Sequence, residues 1–150
     1  MKIFSNGSSF AAGSYPKYLA ELLRARFKRN VDLTNISTPG YSNRSIWRTT
    51  LEYKPENYDL AVIQLTSKSR TEFYSDFVWQ EISPQLTHPK LGDKKKIWQY
   101  WYENIYSDEY GDCDENFAIQ GLQDYFAIKD IPCIMAVSYT HLTLPTTSMV

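Results

Sequence analysis

The stretch KIFSNGSSFAAG, residues 2–13, decides the fold, because an apolar segment passes at once into small polar residues. Lys2 to Ser5 has the alternation of a short strand, and Asn6-Gly7-Ser8-Ser9 is typical of the turn that follows one. Pro16 suits the first turn of a helix. Behind it, four apolar residues fall at helical spacing: Leu19, Leu22, Leu23 and Phe27. The chain therefore opens with a predicted strand, a turn and a helix.

The same alternation of strands and helices continues along the chain. The patterns predict, in order, a strand over 31–36, a helix from Ser42 or Asn43 to about Tyr53, a strand over 60–63, a largely irregular segment over 66–96 with one or two short helices, helices over 97–106 and 115–128, and a strand over 131–136. The core candidates of the last helix are Phe117, Leu122, Tyr125 and Phe126.

Alternating strands and helices imply parallel strands joined by right-handed crossovers, with helices on both faces of the sheet. The predicted fold is therefore α/β, a flavodoxin-like three-layer α/β/α arrangement with a parallel sheet. Ligands of such sheets bind beyond the carboxyl ends of the strands. Three loops therefore deserve a search for functional residues: 6–13, 37–43 and 64–70.

Composition excludes several classes of protein. The 150 residues carry 16 positive and 17 negative charges, a formal net charge of -1, which argues against a nucleic-acid partner bound through a broad basic face. No apolar run is long enough to span a bilayer, and the N-terminus has no secretory signal, so we expect no membrane partner and a cytoplasmic location. Cys113 and Cys133 are then expected as reduced thiols. No cofactor or metal motif is found, and the oligomeric state stays open.

The last residues of the chain have an unusual sequence. From Val137 the sequence VSYTHLTLPTT resembles the conceptual translation of a sequencing adaptor, although a genuine strand with loose alternation is the alternative. We therefore expect a domain over 1–136 that is truncated at its C-terminus and a non-native tail over 137–150. On that interpretation, His141 is no candidate for a catalytic histidine.

The loop after the first strand has three possible roles. A serine at a strand-to-helix turn can face the cleft close to backbone N–H groups, which suits a nucleophile. Alternatively, Ser8 and Ser9 cap the helix, which is the commoner role of serine there, and the glycines only turn the chain. A phosphate cradle is the third possibility, although no Lys-Ser or Lys-Thr follows Gly13, so the Walker pattern is absent.

The motif GSSFAAG resembles the first block of the Ser-Gly-Asn-His hydrolases, also called the GDSL family. The resemblance places Ser9 on the nucleophilic serine. Asn35-Ile36-Ser37-Thr38-Pro39-Gly40 is similar to the second block, which implies that the Gly40 N–H contributes to the oxyanion hole. Asn43 resembles a position in phage and marine-bacterial members of the superfamily.

The third block departs from the family pattern, because its glycine and asparagine are both absent. Thr66, Arg70 and Glu72 instead resemble the pattern of the phage-like branch. The missing oxyanion donor would be replaced by the Thr66 hydroxyl, the Asn43 amide or the Arg70 guanidinium. The fourth block, which supplies the histidine base, would lie past the expected end of native sequence, and His88 is expected to be a loop residue.

The resemblance implies a serine esterase or deacetylase acting on a small ester or an acylated glycan, inactive as this fragment. The alternatives are a non-catalytic module that binds carbohydrate or a protein, and a flavodoxin-like binder of a phosphorylated ligand. The aromatic residues at helical spacing are expected in the core rather than in a substrate-binding wall: Trp98, Tyr100, Trp101, Tyr102 and Tyr106. The acids at 112, 114 and 115 are expected at a helix N-terminus rather than around Ca²⁺.

Overall fold

The computed structural model describes residues 1–84 and 95–137. Its strands are β1 Lys2–Gly7, β2 Asp32–Asn35, β3 Leu60–Leu65, β4 Thr71–Ser75, β5 Val78–Ile82 and β6 Cys133–Val137. Its helices are α1 Ser9–Ala12, α2 Tyr15–Phe27, α3 Asn43–Tyr53, α4 Lys95–Tyr100 and α5 Asp108–Ile128, with a π-helical turn over Trp101–Ile105 between α4 and α5.

Four of the strands form one parallel sheet in the order β2-β1-β3-β6. In the register, Phe4 lies opposite Ala61 of β3, and Val62 lies opposite Ile134 of β6. The strand order matches that of flavodoxin-like folds, in which the chain reverses direction across the sheet beside its first strand. The predicted α/β/α arrangement with a parallel sheet is confirmed.

Alternate residues of β1 feed two separate cores, because successive side chains of a strand point to opposite faces. Ile3 packs with Ala20 of α2 on one face. Phe4 packs on the other face against α3 and α5, where Ile46 and Phe126 are fully buried. The sheet is thus covered on both faces.

Helix α3 has the boundaries that the sequence predicts. The Ser42 side chain caps it by accepting from the Ser45 N–H, and Lys54 ends it in the left-handed conformation with its N–H bonded to the Thr50 carbonyl. Pro55 follows, and it cannot continue a helix. These signals are local in sequence, which is why the prediction matches the structure.

The segment over 66–96 corrects a prediction, because it contains a β-hairpin that the sequence analysis did not foresee. Strands β4 and β5 pair antiparallel, with Ser75 opposite Val78. Asp76 and Phe77 make the turn with φ of 51° and 62°. A two-residue turn with positive φ at both positions normally carries Asn-Gly or Asp-Gly, and Phe77 stands where glycine is usual, so the pair did not indicate a turn.

Other predictions also need correction. Helix α5 begins at Asp108 rather than near 115, because Ser107 caps it by accepting from the Tyr110 N–H. The predicted helix over 97–106 is α4 followed by the π-helical turn. Phe117, a predicted core residue, is more than half exposed, and so are Leu22 and Phe27 of the apolar set at helical spacing. None of the described helices is long and apolar enough to cross a membrane.

Candidate active site

The loops that follow β1 and β2 lie together at the carboxyl edge of the sheet. The Thr38 N–H donates to the Gly7 carbonyl at 3.1 Å, so the loop after β2 continues alongside the end of β1. The Asn35 side-chain amide donates to the Ala11 carbonyl at 2.8 Å and ties β2 to helix α1. The sequence-predicted Ser9 and Gly40 thus belong to two loops that hydrogen bonds hold side by side.

Gly7 is required by close packing rather than by an unusual backbone angle. A Cβ at this position would lie 2.7 Å from Ala11 Cβ and 2.8 Å from the Gln64 carbonyl oxygen. No side chain fits at those distances, so glycine lets β1 and β3 approach where α1 begins. Gly40 has the other kind of requirement, because its φ of 95° is a conformation that side chains disfavour.

Ser9 is exposed and is the first residue of α1, directly beyond β1. Its carbonyl accepts from the Gly13 N–H at 3.2 Å. Its hydroxyl makes no hydrogen bond with any residue in the described ranges, and the N–H groups of Ser9 and Gly40 likewise have no acceptor there. Among the described residues, one hydroxyl and two N–H groups in these loops therefore have no protein partner.

Ser8 behaves differently from its neighbour. It occupies the N-cap position of α1, yet its side chain makes no capping hydrogen bond. The hydroxyl is buried and instead accepts from Arg70 Nη1 at 3.0 Å. Arg70 Nε is buried without a partner among the described residues. The contact brings the loop after β3 to the Ser8–Ser9 turn, and it leaves one guanidinium N–H unsatisfied beside it.

Asn43 is fully engaged as a link between α3 and the end of β3. Its Oδ1 accepts from the Thr66 N–H at 2.7 Å, and its Nδ2 donates to the Thr66 carbonyl at 3.0 Å and to Glu115 Oε1 at 3.1 Å. Burial raises the pKa of Glu115 above its usual value, and the hydrogen bond from Asn43 opposes that shift. Both amide hydrogens of Asn43 are therefore taken, and this side chain has none left for an oxyanion.

The sequence analysis missed Asn6, whose side chain is fully buried beneath the same edge. Its Oδ1 accepts from the Gly7 N–H at 2.8 Å, and its Nδ2 lies 3.0 Å from the Ile46 carbonyl. The same nitrogen lies 2.9 Å from the hydroxyls of Thr49 and Thr50. The Asn-Gly pair was interpreted as a turn, and no local signal distinguishes that from an amide that anchors α3 to β1.

Another missed contact involves Gln64, which is buried at the end of β3. Its Oε1 accepts from the Ala11 N–H at 3.2 Å, so the side chain fixes the middle of α1. The sequence analysis did not recognise the role of this glutamine, because it lies in the apolar run of β3 between the core residues Ile63 and Leu65. Asn6 and Gln64 thus link the residues on both sides of Ser8–Ser9 to α3 and β3.

The aromatic segment forms a ladder of rings and not a core, which corrects the sequence-based expectation. Trp98 and Tyr102 have centroids 5.3 Å apart, and Tyr102 and Tyr106 have centroids 5.6 Å apart. All three rings are only partly buried, and Tyr100 is exposed. The Tyr102 hydroxyl donates to the Ser69 carbonyl at 2.7 Å, and burial raises the pKa of Tyr102. The ladder therefore stands beside the loop that carries Arg70.

The acidic residues of α5 also have roles that differ from the predicted one. Asp112 pairs with Lys68 at 2.8 Å, Asp114 pairs with Arg44 at 2.5 Å, and Glu115 receives the Asn43 amide. They connect α5 to the site loops, whereas Asp108 and Glu109 occupy the first helical turn. Within 1–84 and 95–137, no group of three or more metal-ligating side chains is found.

The described ranges contain no histidine that could act as a general base for Ser9. The two histidines of the chain, His88 and His141, both lie outside those ranges. The sequence-based interpretations of both residues therefore stay predictions. Cys113 and Cys133 are both free thiols, and burial raises the pKa of Cys133 to about 12, which makes it a poor nucleophile at neutral pH.

Comparison with known proteins gives a structural similarity and no family. No protein-family model matches the chain, and no curated protein matches it. Among solved structures, the chain is similar to the lipase/acylhydrolase from Enterococcus faecalis, at 18% sequence identity and a TM-score of 0.39, over 89% of this chain and 74% of that one. A similarity of this size carries no argument about activity, which has to come from the side chains themselves.

Proposed function

We propose that the chain is the hydrolase domain of a serine ester hydrolase of the Ser-Gly-Asn-His type, acting on a small ester or an acylated glycan with Ser9 as nucleophile. The observation that carries the proposal is the state of Ser9. Ser9 is exposed, and its hydroxyl is unbonded within the described part of the chain, at the first residue of α1 and two residues after β1 on the carboxyl edge of a parallel sheet. Neighbouring serine Ser8 is instead buried and engaged.

In this mechanism, Ser9 Oγ attacks the ester carbonyl carbon while a base accepts the hydroxyl proton, and the carbonyl oxygen becomes an oxyanion. Collapse of the tetrahedral intermediate expels the alcohol, which takes up that proton, and leaves an acyl-serine. Water then attacks the acyl carbon while the base accepts its proton, and the second tetrahedral intermediate collapses. The bond to Ser9 Oγ breaks, the carboxylic acid leaves, and the base returns the proton to Ser9. The N–H groups of Ser9 and Gly40 are the proposed donors to both oxyanions.

Arg70 is the proposed third donor, because its contacts favour it over Asn43. The amide of Asn43 is fully used by Thr66 and Glu115, whereas the Thr66 hydroxyl stays the alternative donor. Arg70 lies at the Ser8 hydroxyl and has an Nε–H without a partner in the described ranges. A guanidinium can move a short distance to a developing negative charge without breaking the sheet.

The proposal keeps two expectations from the sequence: residues 137–150 are not native, and the histidine base belongs to the sequence that they replace. Hydrolysis of p-nitrophenyl acetate should be compared for the 150-residue chain and for the gene product whose native reading frame continues past Ala136. We expect Ser9-dependent turnover only from the second, because a serine without its base keeps only residual catalysis.

The decisive variant is Ser9→Ala in the active gene product, which should abolish turnover without changing the unfolding midpoint. Ser14→Ala is the matched control, since Ser14 is an exposed serine between α1 and α2 whose side chain makes no capping bond. Full activity of the Ser9→Ala protein would eliminate Ser9 as nucleophile. Efficient Ser9-dependent turnover by the 150-residue chain would show instead that the base lies within these residues.

A non-catalytic carbohydrate-binding module is the second candidate, and the aromatic ladder favours it. Partly exposed tyrosine and tryptophan rings beside a polar loop suit stacking against sugar rings. Binding of oligosaccharides, followed by tryptophan fluorescence, would detect this function. Two results together would replace the esterase proposal. Oligosaccharide binding would be saturable and lost in Tyr102→Ala, and the gene product with the native reading frame would hydrolyse no acylated oligosaccharide.

A further inference from the structure

Two glutamates of the hairpin meet above the first turn of α3. Glu72 of β4 and Glu81 of β5 lie directly opposite each other in the antiparallel ladder. Like charges at such positions destabilise a hairpin. Both carboxyl groups nevertheless turn toward one hydroxyl, that of Ser45, which lies 2.9 Å from Glu72 Oε2 and in hydrogen-bond contact with Glu81 Oε1.

Ser42 completes the cluster from the cap position of α3. Its hydroxyl oxygen lies 2.6 Å from Ser45 Oγ, and its backbone N–H donates to Glu81 Oε2 at 3.1 Å. Ser42 and Ser45 are both fully buried, and Glu72 has a side chain that is 0% exposed. Ser42, Ser45 and Glu72 are shielded from solvent and Glu81 is half-buried, so the hydrogen bonds around Ser45 must be satisfied from within the cluster.

A count of protons shows that one is missing when both carboxyls are charged. Ser45 Oγ has three oxygen neighbours at hydrogen-bond range, in Ser42, Glu72 and Glu81. Each contact needs one hydrogen, and the two serine hydroxyls supply only two. The Ser45 hydroxyl donates to Glu72, and Ser42 donates to Ser45. The third hydrogen must then come from a carboxyl group.

The cation of the cluster decides which carboxyl carries that hydrogen. Arg48 donates to Glu72 through Nε at 2.9 Å and through Nη2 at 2.7 Å, so Glu72 is held as the carboxylate. Glu81 has no basic partner in the described part of the chain, and its Oε1 faces the Ser45 hydroxyl oxygen. A hydroxyl group on Glu81 would donate to that oxygen and complete the count.

We propose that Glu81 carries a proton in the folded protein below neutral pH, and that this proton makes the β4–β5 hairpin a pH-sensitive latch on the start of α3. The proposal goes beyond the esterase function and does not depend on Ser9. Loss of the proton would place two carboxylates against one hydroxyl. The hairpin would then loosen from α3 as the pH rises.

The surrounding charges agree with this assignment. Burial raises the pKa of Glu81 to about 7, the negative charge of Glu72 acts in the same direction, and the polar contacts with Ser45 and Ser42 oppose the shift. Two other charged groups face the cluster. Arg48 binds Glu72 and also Glu52 on its own helix. Arg44 is paired with Asp114 of α5 and interacts electrostatically with Glu72. No group among them offsets a charge on Glu81.

The sign of the effect follows from linkage. The pKa of Glu81 in the folded chain lies above the ordinary value of 4.5, so between these values the folded state holds a proton that the unfolded state has released. The stabilisation is complete below about pH 4.5 and is lost as the pH rises through about 7. Urea midpoints should therefore fall across this window.

The test compares three proteins from about pH 5 to pH 8, a window that brackets the expected transition. The urea concentration at the unfolding midpoint of the unmodified chain should fall as the pH rises. Glu81→Gln should remove most of that loss, because an amide donates to Ser45 at every pH. Glu52→Gln is the matched control: it removes an exposed carboxylate from the same arginine and should keep the full pH dependence.

Direct observation of the side chain protects the proposal if Glu81→Gln fails to fold. Carbon-13 spectra of the glutamate carboxyl groups should show one resonance that titrates near neutral pH, and the Glu52→Gln protein should retain it. The proposal is wrong if every glutamate carboxyl finishes titrating below about pH 6, or if the pH-dependent loss of midpoint is unchanged in Glu81→Gln.

Discussion

Replacing Gly7 by alanine should destabilise the whole sheet, because the added methyl group has no space. Its Cβ would meet Ala11 Cβ at 2.7 Å, the Gln64 carbonyl oxygen at 2.8 Å and Gln64 Cβ at 2.9 Å. All three atoms are backbone or first side-chain atoms, so the conflict can be relieved only by moving α1 or β3. Overpacking costs typically 1–3 kcal/mol, and we expect about 3 kcal/mol here, a fall of about 10 °C in melting temperature.

The measurement is urea unfolding followed by circular dichroism, with Gly13→Ala as the matched control. Gly13 belongs to the same motif, but a Cβ there would lie 3.4 Å from its nearest neighbour, the Phe10 carbonyl oxygen, which is an ordinary contact. We expect Gly13→Ala to change the free energy of unfolding by less than about 0.5 kcal/mol. If Gly7→Ala also stays within that limit, the close approach of β1, α1 and β3 is not a feature of the native protein.

Two further changes probe the side chains around the candidate site. Asn43→Ala should lower the free energy of unfolding by about 2–4 kcal/mol, because it leaves the buried N–H and carbonyl of Thr66 unpaired; urea unfolding checks this, and a loss below about 0.5 kcal/mol would contradict it. Arg70→Lys in the active gene product should lower kcat by roughly 10²–10³ with little change in KM, because lysine keeps the charge without the fork of donors at Ser8. An unchanged kcat in steady-state ester hydrolysis would remove Arg70 from the proposed oxyanion hole.

The elements that the sequence predicted correctly are those specified by neighbours in the chain. Helix α3 has its cap at Ser42 and its end before Pro55, and the apolar run of β3 is buried because both faces of a parallel sheet are covered. The parallel sheet followed from the alternation of strands and helices and the handedness of crossovers. Such signals do not depend on distant parts of the chain.

The elements that the sequence did not reveal depend on distant partners. Strand β4 buries Glu72, which only becomes favourable once Arg48 and Ser45 of α3 are in place. Helix α5 contains Gly111, which weakens the local helical signal. A side chain at that position would lie 2.9 Å from the Tyr106 hydroxyl and 3.1 Å from the Lys68 carbonyl oxygen, so tertiary packing explains the glycine.

The candidate site divides in the same way. Ser9 and Gly40 come from short motifs at strand ends, and their roles stay predictions until activity is measured. The contact between Ser8 and Arg70 joins residues 62 positions apart, and the link between Asn43 and Glu115 joins residues 72 apart. Pairs at such separations leave no periodic pattern in a single sequence, so the structure was needed to find them.

The buried amide of Asn6 has a consequence for the chemical ageing of this protein. In a flexible chain, the side-chain amide of an asparagine that precedes glycine loses ammonia readily. The backbone nitrogen of the glycine attacks the side-chain carbonyl carbon and closes a succinimide ring. Here the Gly7 N–H is bonded to Asn6 Oδ1, and the departing nitrogen is held against the Ile46 carbonyl and two threonine hydroxyls. Deamidation at Asn6 therefore requires β1 to leave the sheet, and its slow accumulation in storage would serve as a clock for that rare opening.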